Sequence, residues 1–107
     1  MPFGNPVPRN FTAVAVNAEA PAGGGVYGLS NARQWLYIGT SDNIRQALSA
    51  RLQERDTLLA RNRPMGFVYE ICDAAVRDGR CRRLISEYAP LCNGSGADSA
   101  EPGRNRT

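Results

Sequence analysis

Gly25-Val-Tyr-Gly-Leu29, Ser30-Asn-Ala-Arg33 and Gln34-Trp-Leu-Tyr-Ile38, closed by Gly39, form the stretch on which the fold turns. Two short runs carrying β-branched and aromatic side chains flank four residues whose Ser and Asn suit a tight turn, so the stretch predicts a β-hairpin. Downstream, Thr40, Ser41 and Asp42 offer capping oxygens. Ile44, Leu48, Leu52 and Leu59 then recur at helical spacing until Asn62-Arg-Pro64 ends the segment, which predicts one amphipathic helix. Phe67-Val-Tyr-Glu-Ile-Cys72 reads as a third strand. Asp73 is placed to cap a second helix with Cys81, Leu84, Ile85 and Tyr88 on one face, and Pro90 stops it. The order β-β-α-β-α describes an α/β chain of the α+β kind, with a small three-stranded sheet flanked by helices. Upstream, Phe11-Thr-Ala-Val-Ala-Val16 has strand character and is expected to add to a sheet edge.

Composition sets the bounds. A chain of 107 residues is one domain, with 24–93 as its body, 1–23 as an N-terminal extension and 94–107, which lacks any large apolar side chain, as a disordered tail. The hydrophobic fraction of 42% is ordinary for a globular protein, and no apolar run suits a membrane span. The opening Met-Pro-Phe-Gly-Asn does not read as a secretory signal, so a cytoplasmic location is expected. Cys72, Cys81 and Cys92 lack paired metal-ligand spacing and the chain has no His, which argues against zinc and for free thiols in a reducing compartment. All thirteen basic residues are Arg, the better bidentate phosphate partner; the net charge of +3 is permissive of nucleic-acid binding without demonstrating it.

Three motifs lie along this framework. Gly25-Val26-Tyr27 looks like a GIY element, Tyr37-Ile38-Gly39 matches YIG, and Leu84-Ile-Ser-Glu-Tyr88-Ala-Pro90-Leu-Cys-Asn93 is similar to L-I-x-x-Y-x-P-x-x-N. Together they make the chain resemble the GIY-YIG nuclease superfamily, as seen in the N-terminal nuclease domain of the bacterial excision-repair subunit. The resemblance implies hydrolysis of a DNA phosphodiester by tyrosine hydroxyls near the attacking water, an Arg clamp on the developing charge, an Asn, and one Glu holding a divalent metal.

Carried over by position, Tyr27, Tyr37 and Asn93 are present. The Arg, ten residues after the YIG tyrosine in the family, is Ala47 here; the metal-binding Glu, three residues before the Leu-Ile pair, is Cys81. A thiol does not replace a carboxylate for Mg²⁺, which prefers hard oxygen ligands. The expectation is a degenerate endonuclease-like domain, catalytically impaired, with no cofactor, that retains nucleic-acid binding through Arg45, Arg51, Arg55, Arg80 and Arg83. The alternative is an active Mg²⁺-dependent endonuclease with relocated groups: Arg51, one helical turn beyond Ala47, and Asp78 or Glu70 for the metal. DNA is the partner the resemblance implies; a protein partner or self-association is left open, since fold alone does not decide it. Cys81 also reads as a small core residue, and the Arg77–Arg83 cluster as either a solvated helix face or a phosphate-binding surface.

Overall fold

A computed structural model describes residues 8–93. The expected disordered tail at 94–107 lies outside the described residues. In chain order the elements are β1 (Arg9–Asn10), α1 (Ala13–Glu19), β2 (Gly25–Ser30), β3 (Trp35–Ser41), α2 (Ile44–Leu52), α3 (Leu58–Arg61), β4 (Gly66–Ile71) and α4 (Ala74–Tyr88).

The hairpin is β2 and β3, antiparallel, with Tyr27 opposite Gly39 and Leu29 opposite Tyr37. Asn31 shapes its turn: the side-chain oxygen accepts from the backbone N–H of Arg33 at 2.8 Å and of Gln34 at 2.9 Å, the local bond that makes Asn a turn former. Past Leu29 the register shifts, and the bulge leaves Leu36 and Tyr37 together on one side of the sheet. The other edge of β2 pairs with β4, Tyr27 opposite Tyr69, and β1 extends the sheet with Arg9 opposite Phe67, so the strand order is β1-β4-β2-β3.

Strand alternation divides the sheet residues between two layers. Tyr27, Leu29 and Phe67 pack with Val16, Ile44, Leu48 and Leu59 from α1, α2 and α3. Val26, Ile38 and Val68 pack on the opposite side with Leu84 of α4, flanked by Cys81, Ile85 and Tyr88. Each fully buried aliphatic side chain of this kind contributes about 1.5–3 kcal/mol of transfer free energy. After α4 the chain turns at Ala89, left-handed at φ 48°, and runs back along the outer edge of β3. There Cys92 N–H donates to Leu36 O at 2.7 Å and Leu91 N–H to Trp35 O at 3.1 Å. These bonds cover an edge that would otherwise present unpaired main-chain groups.

Two expectations need correction. Residues 11–16 do not form an edge strand: Thr12 caps a helix, its side chain accepting from Ala15 N–H, and Arg9–Asn10 take the edge position. A strand would have put Val14 and Val16 on one face; instead Val16 is fully buried and Val14 is 80% exposed, while Val16 and Ala20, four apart, enter the core together. The N-terminal extension thus supplies part of the body's core. The single helix expected from Ile44 to Leu59 is two. Arg55 Nη1 donates to the carbonyls of Leu52 and Glu54 after α2, and Thr57 starts α3 by accepting from Ala60 N–H. The bonds at Leu52 O and Ala60 N–H satisfy main-chain groups that a helix end leaves open. Smaller shifts accompany these: Asn43, not Thr40, Ser41 or Asp42, caps α2 by accepting from Gln46 N–H, and Asp73 stands at the start of α4 with no side-chain capping bond.

Candidate functional site

The hairpin register gives Tyr27 and Tyr37 a common neighbour. Tyr27 lies across from Gly39 and Tyr37 lies two residues before it, so all three share one face of the sheet. A Cβ at position 39 would stand 2.6 Å from Tyr37 Cε2, 3.0 Å from the Tyr37 hydroxyl and 3.1 Å from the Tyr27 hydroxyl. Both hydroxyls therefore hang over the bare glycine, which is the physical reason for glycine there. The rings are tilted by 42° with centroids 6.0 Å apart.

Arg51, in the last turn of α2, reaches this pair. Its guanidinium carbon sits 4.4 Å from the centroid of the Tyr37 ring, and Nε lies 3.4 Å from the Tyr27 hydroxyl. The first contact is a close cation–π stack; the second is at the long limit of a hydrogen bond. Nη1 is held at 3.0 Å by Glu54 Oε2, and Glu54 Oε1 accepts from Thr57 Oγ1 at 3.1 Å. Burial raises the Tyr27 pKa above the usual phenol value, opposed by the positive charge of Arg51. Burial works to lower the pKa of Arg51, and Tyr27, Tyr37 and Glu54 together overcome it, so the guanidinium is held more firmly protonated than usual. At neutral pH Arg51 is thus a fixed cation packed on Tyr37, beside the Tyr27 hydroxyl and paired with Glu54. Guanidinium and hydroxyl groups bind anions by charge-assisted N–H and O–H donation.

Ala47, one turn before Arg51, packs against the core and carries no polar group. Cys81 lies on α4, beneath the other face of the sheet, with Sγ 3.8 Å from Ile38 O. Burial, reinforced by Asp78, pushes its thiol up to about 11, so it stays protonated at neutral pH. Of the relocated carboxylates, Glu70 points to the α4 side and is gripped by Arg80 at 2.6 and 2.7 Å. Asp78 is exposed and helps line a groove of about 520 Å³ with Glu70, Cys72, Val76, Arg80 and Arg83. Among the described residues, no three His, Cys, Asp or Glu side chains gather closely enough to hold a metal ion. A protonated thiol and a carboxylate committed to an arginine do not fit Mg²⁺. No hydrolytic step is derived through that ion.

The remaining candidates are dispersed. Arg45 donates from Nε to Ala20 O at 2.8 Å, tying α2 to the end of α1. Arg55 is engaged with the main chain between α2 and α3. Arg80 and Arg83 belong to the α4 groove, across the sheet from the tyrosines. Asn93 reaches β3, but both ends of its amide are taken by one residue: Ile38 N–H donates to Oδ1 at 2.8 Å and Nδ2 donates to Ile38 O at 3.0 Å. It acts there as an added rung of the sheet. Glu54 and Thr57 escaped the sequence reading. The only signal was the three-residue spacing of Glu54 from Arg51, masked by the assumption that the helix ran on to Leu59.

No protein-family model matches the sequence, and no curated protein does. Solved structures do match. The GIY-YIG N-terminal endonuclease domain of UvrC from Thermotoga maritima, bound to its catalytic divalent cation, magnesium, superimposes with a TM-score of 0.62 at 20% identity, over 73% of this chain and 90% of that one. A tyrosine-to-phenylalanine point mutant of the same domain gives a TM-score of 0.60 at 20% identity over 71% and 91%. An asparagine-to-alanine point mutant gives 0.62 at 20% over 73% and 89%. The chain has the GIY-YIG endonuclease-domain fold. At this level of identity the likeness extends to the fold and no further.

Proposed function

We propose that the protein is a degenerate GIY-YIG nuclease-like domain that binds nucleic acid at the Tyr27–Tyr37–Arg51 cluster and has lost most or all hydrolytic activity. One observation carries this: Arg51 stacks on Tyr37 with its Nε 3.4 Å from the Tyr27 hydroxyl, a cation among hydroxyl donors at the position where the fold's tyrosines meet. A cation so placed suits the phosphate of a nucleic-acid backbone, since most backbone contacts come from Arg, Lys and hydroxyl donors. The impairment is inferred from Ala47 and Cys81, an apolar methyl and a protonated thiol at the two positions where the nuclease resemblance calls for charge. The similar solved structures are of an endonuclease domain bound to its divalent cation, which makes DNA the first substrate class to test. With Cys72 and Cys81 as free thiols a reducing compartment suits the domain, and we propose the cytoplasm.

Relocated chemistry is supported for one half only. Arg51 is within reach of a phosphate on the tyrosines, but Glu70 is paired with Arg80 on the other face and Asp78 is exposed in the α4 groove. The decisive experiment compares the natural protein with the double variant Ala47→Arg, Cys81→Glu in nicking of supercoiled plasmid with Mg²⁺ or Mn²⁺. We expect no measurable cleavage by the natural protein and a gain of about 10²-fold or more in the double variant, the scale on which one charge stabiliser acts. Robust metal-dependent nicking by the natural protein, abolished by Tyr27→Phe, would overturn the impairment.

A further inference from the structure

We infer that Glu54 is a competing carboxylate that occupies the anion-binding donor of Arg51, so that a nucleic-acid phosphate must displace it to engage the cluster; this rests on the nucleic-acid reading above. The geometry leaves the guanidinium little choice. One face of its plane lies against the Tyr37 ring at 4.4 Å, its Nε edge is turned to the Tyr27 hydroxyl, and its Nη1 is held at 3.0 Å by Glu54. Bidentate recognition of a phosphate needs two N–H groups on one edge. Each edge already has one committed donor. The two restraints differ in strength: the Tyr27 contact is long and to a neutral phenol, whereas the Glu54 contact is short and between opposite charges.

Glu54 is also held ready. Thr57 Oγ1, the cap of α3, donates to its second oxygen at 3.1 Å, so the interruption between α2 and α3 orients the carboxylate toward Arg51. The side chains of Arg51 and Glu54 are only 23% and 25% exposed, which shields the pair from salt more than a surface pair. A phosphate arriving on Arg51 with Glu54 in place meets a like charge one guanidinium away. The site is therefore set to bind backbone phosphate weakly, and the setting lies in one residue.

The test is a fluorescence-anisotropy titration of a short fluorescein-labelled DNA duplex over a series of NaCl concentrations. It uses the full chain with Glu54→Gln, Asp56→Asn, Arg51→Met and the Glu54→Gln, Arg51→Met pair. Gln keeps the acceptor for Thr57, and Asp56, an exposed carboxylate two residues on, controls for the change in net charge. We expect Glu54→Gln to tighten binding about tenfold with a salt slope steeper by about one, and Asp56→Asn to change it less than about twofold. The gain should vanish in the Arg51→Met background. If the natural protein binds through Arg51 and Glu54→Gln does no more than Asp56→Asn, the competition is refuted while the nucleic-acid reading stands. Failure of every variant to bind at the lowest salt overturns both. Thermal melts accompany each variant; should Glu54→Gln melt early, Glu54→Ala, which removes the carboxylate altogether, must give the same tightening.

Discussion

The two faces of the sheet treat the nuclease-like positions differently. On the face covered by α1, α2 and α3, Tyr27, Tyr37, Arg51 and Glu54 form a connected polar cluster over Gly39. On the face covered by α4, Cys81 sits among Val26, Ile38, Val68 and Leu84, and the nearby carboxylate Glu70 is neutralised by Arg80. The contrast has a physical origin. Tyr27 is 3% exposed and Tyr37 packs against the same core, so both hold the fold together whether or not they act on a substrate. A charge at position 47 or 81 would add nothing to packing, and a small apolar or thiol side chain there costs the fold nothing.

The largest expected effect tests whether the α4 face is purely structural. Leu84→Ala should destabilise the domain by about 2–5 kcal/mol, because Leu84 is fully buried and its removal leaves a cavity under Ile38 and Val68. Urea unfolding measures it; a loss below about 1 kcal/mol would mean that α4 is not docked as described. Gly39→Ala attacks the other face. The new methyl would meet Tyr37 and Tyr27 within 2.6–3.1 Å, so the two rings must separate at a cost of about 1–3 kcal/mol. Tyrosine fluorescence and near-ultraviolet dichroism should change, and DNA affinity should fall even where the variant remains folded at the assay temperature.

Arg51→Met is a smaller perturbation of stability, about 1 kcal/mol or less, since a partly exposed stack and ion pair are lost together. Its clearer mark is on titration. Arg51 is the group that opposes the burial-driven rise of the Tyr27 pKa, so its removal should move tyrosinate formation, followed by absorbance at 295 nm, to still higher pH. At neutral pH the smallest effect is that of Cys81, which titrates only in alkali. Its folded pKa of about 11 exceeds the ordinary 9.0, so between those values the unfolded chain has lost a proton that the folded one keeps. Stability is unaffected below about pH 9 and falls as the pH rises from about 9 to 11, the sign opposite to that of a salt-bridged carboxylate. Tyr27, also raised, adds in the same direction above pH 10. Denaturant midpoints across that range should slope less steeply for Cys81→Ala, and alkylation of Cys81 at pH 8 should be slow compared with a free thiol.

Much was legible because it is local. The strand-like runs Gly25–Leu29 and Gln34–Ile38 about a Ser-Asn turn specified the hairpin, and the hairpin brought Tyr27 and Tyr37 together. The periodic Leu and Ile residues marked helices on both sides of β4. Arg51 was within reach of inference because a helical turn carries position 47 to 51 along one face. Phe11–Val16 misled because its composition suits a strand while one capping Thr and the packing of Val16 and Ala20 favour a helix.

By itself the sequence determined the hairpin, the strand and helix after Pro64, the tyrosine pair and the absence of charge at Ala47 and Cys81, since these follow from residue identity and from periods of two and three to four. Only the tertiary structure decided which groups meet across the chain. It turned Glu70 toward Arg80 and away from the tyrosines, and gave the amide of Asn93 to Ile38. It also broke the helix after Leu52 so that Glu54 could close on Arg51. Each of these depends on strand register and on where a helix end finds partners for its open main-chain groups, and neither is written in any short stretch of residues.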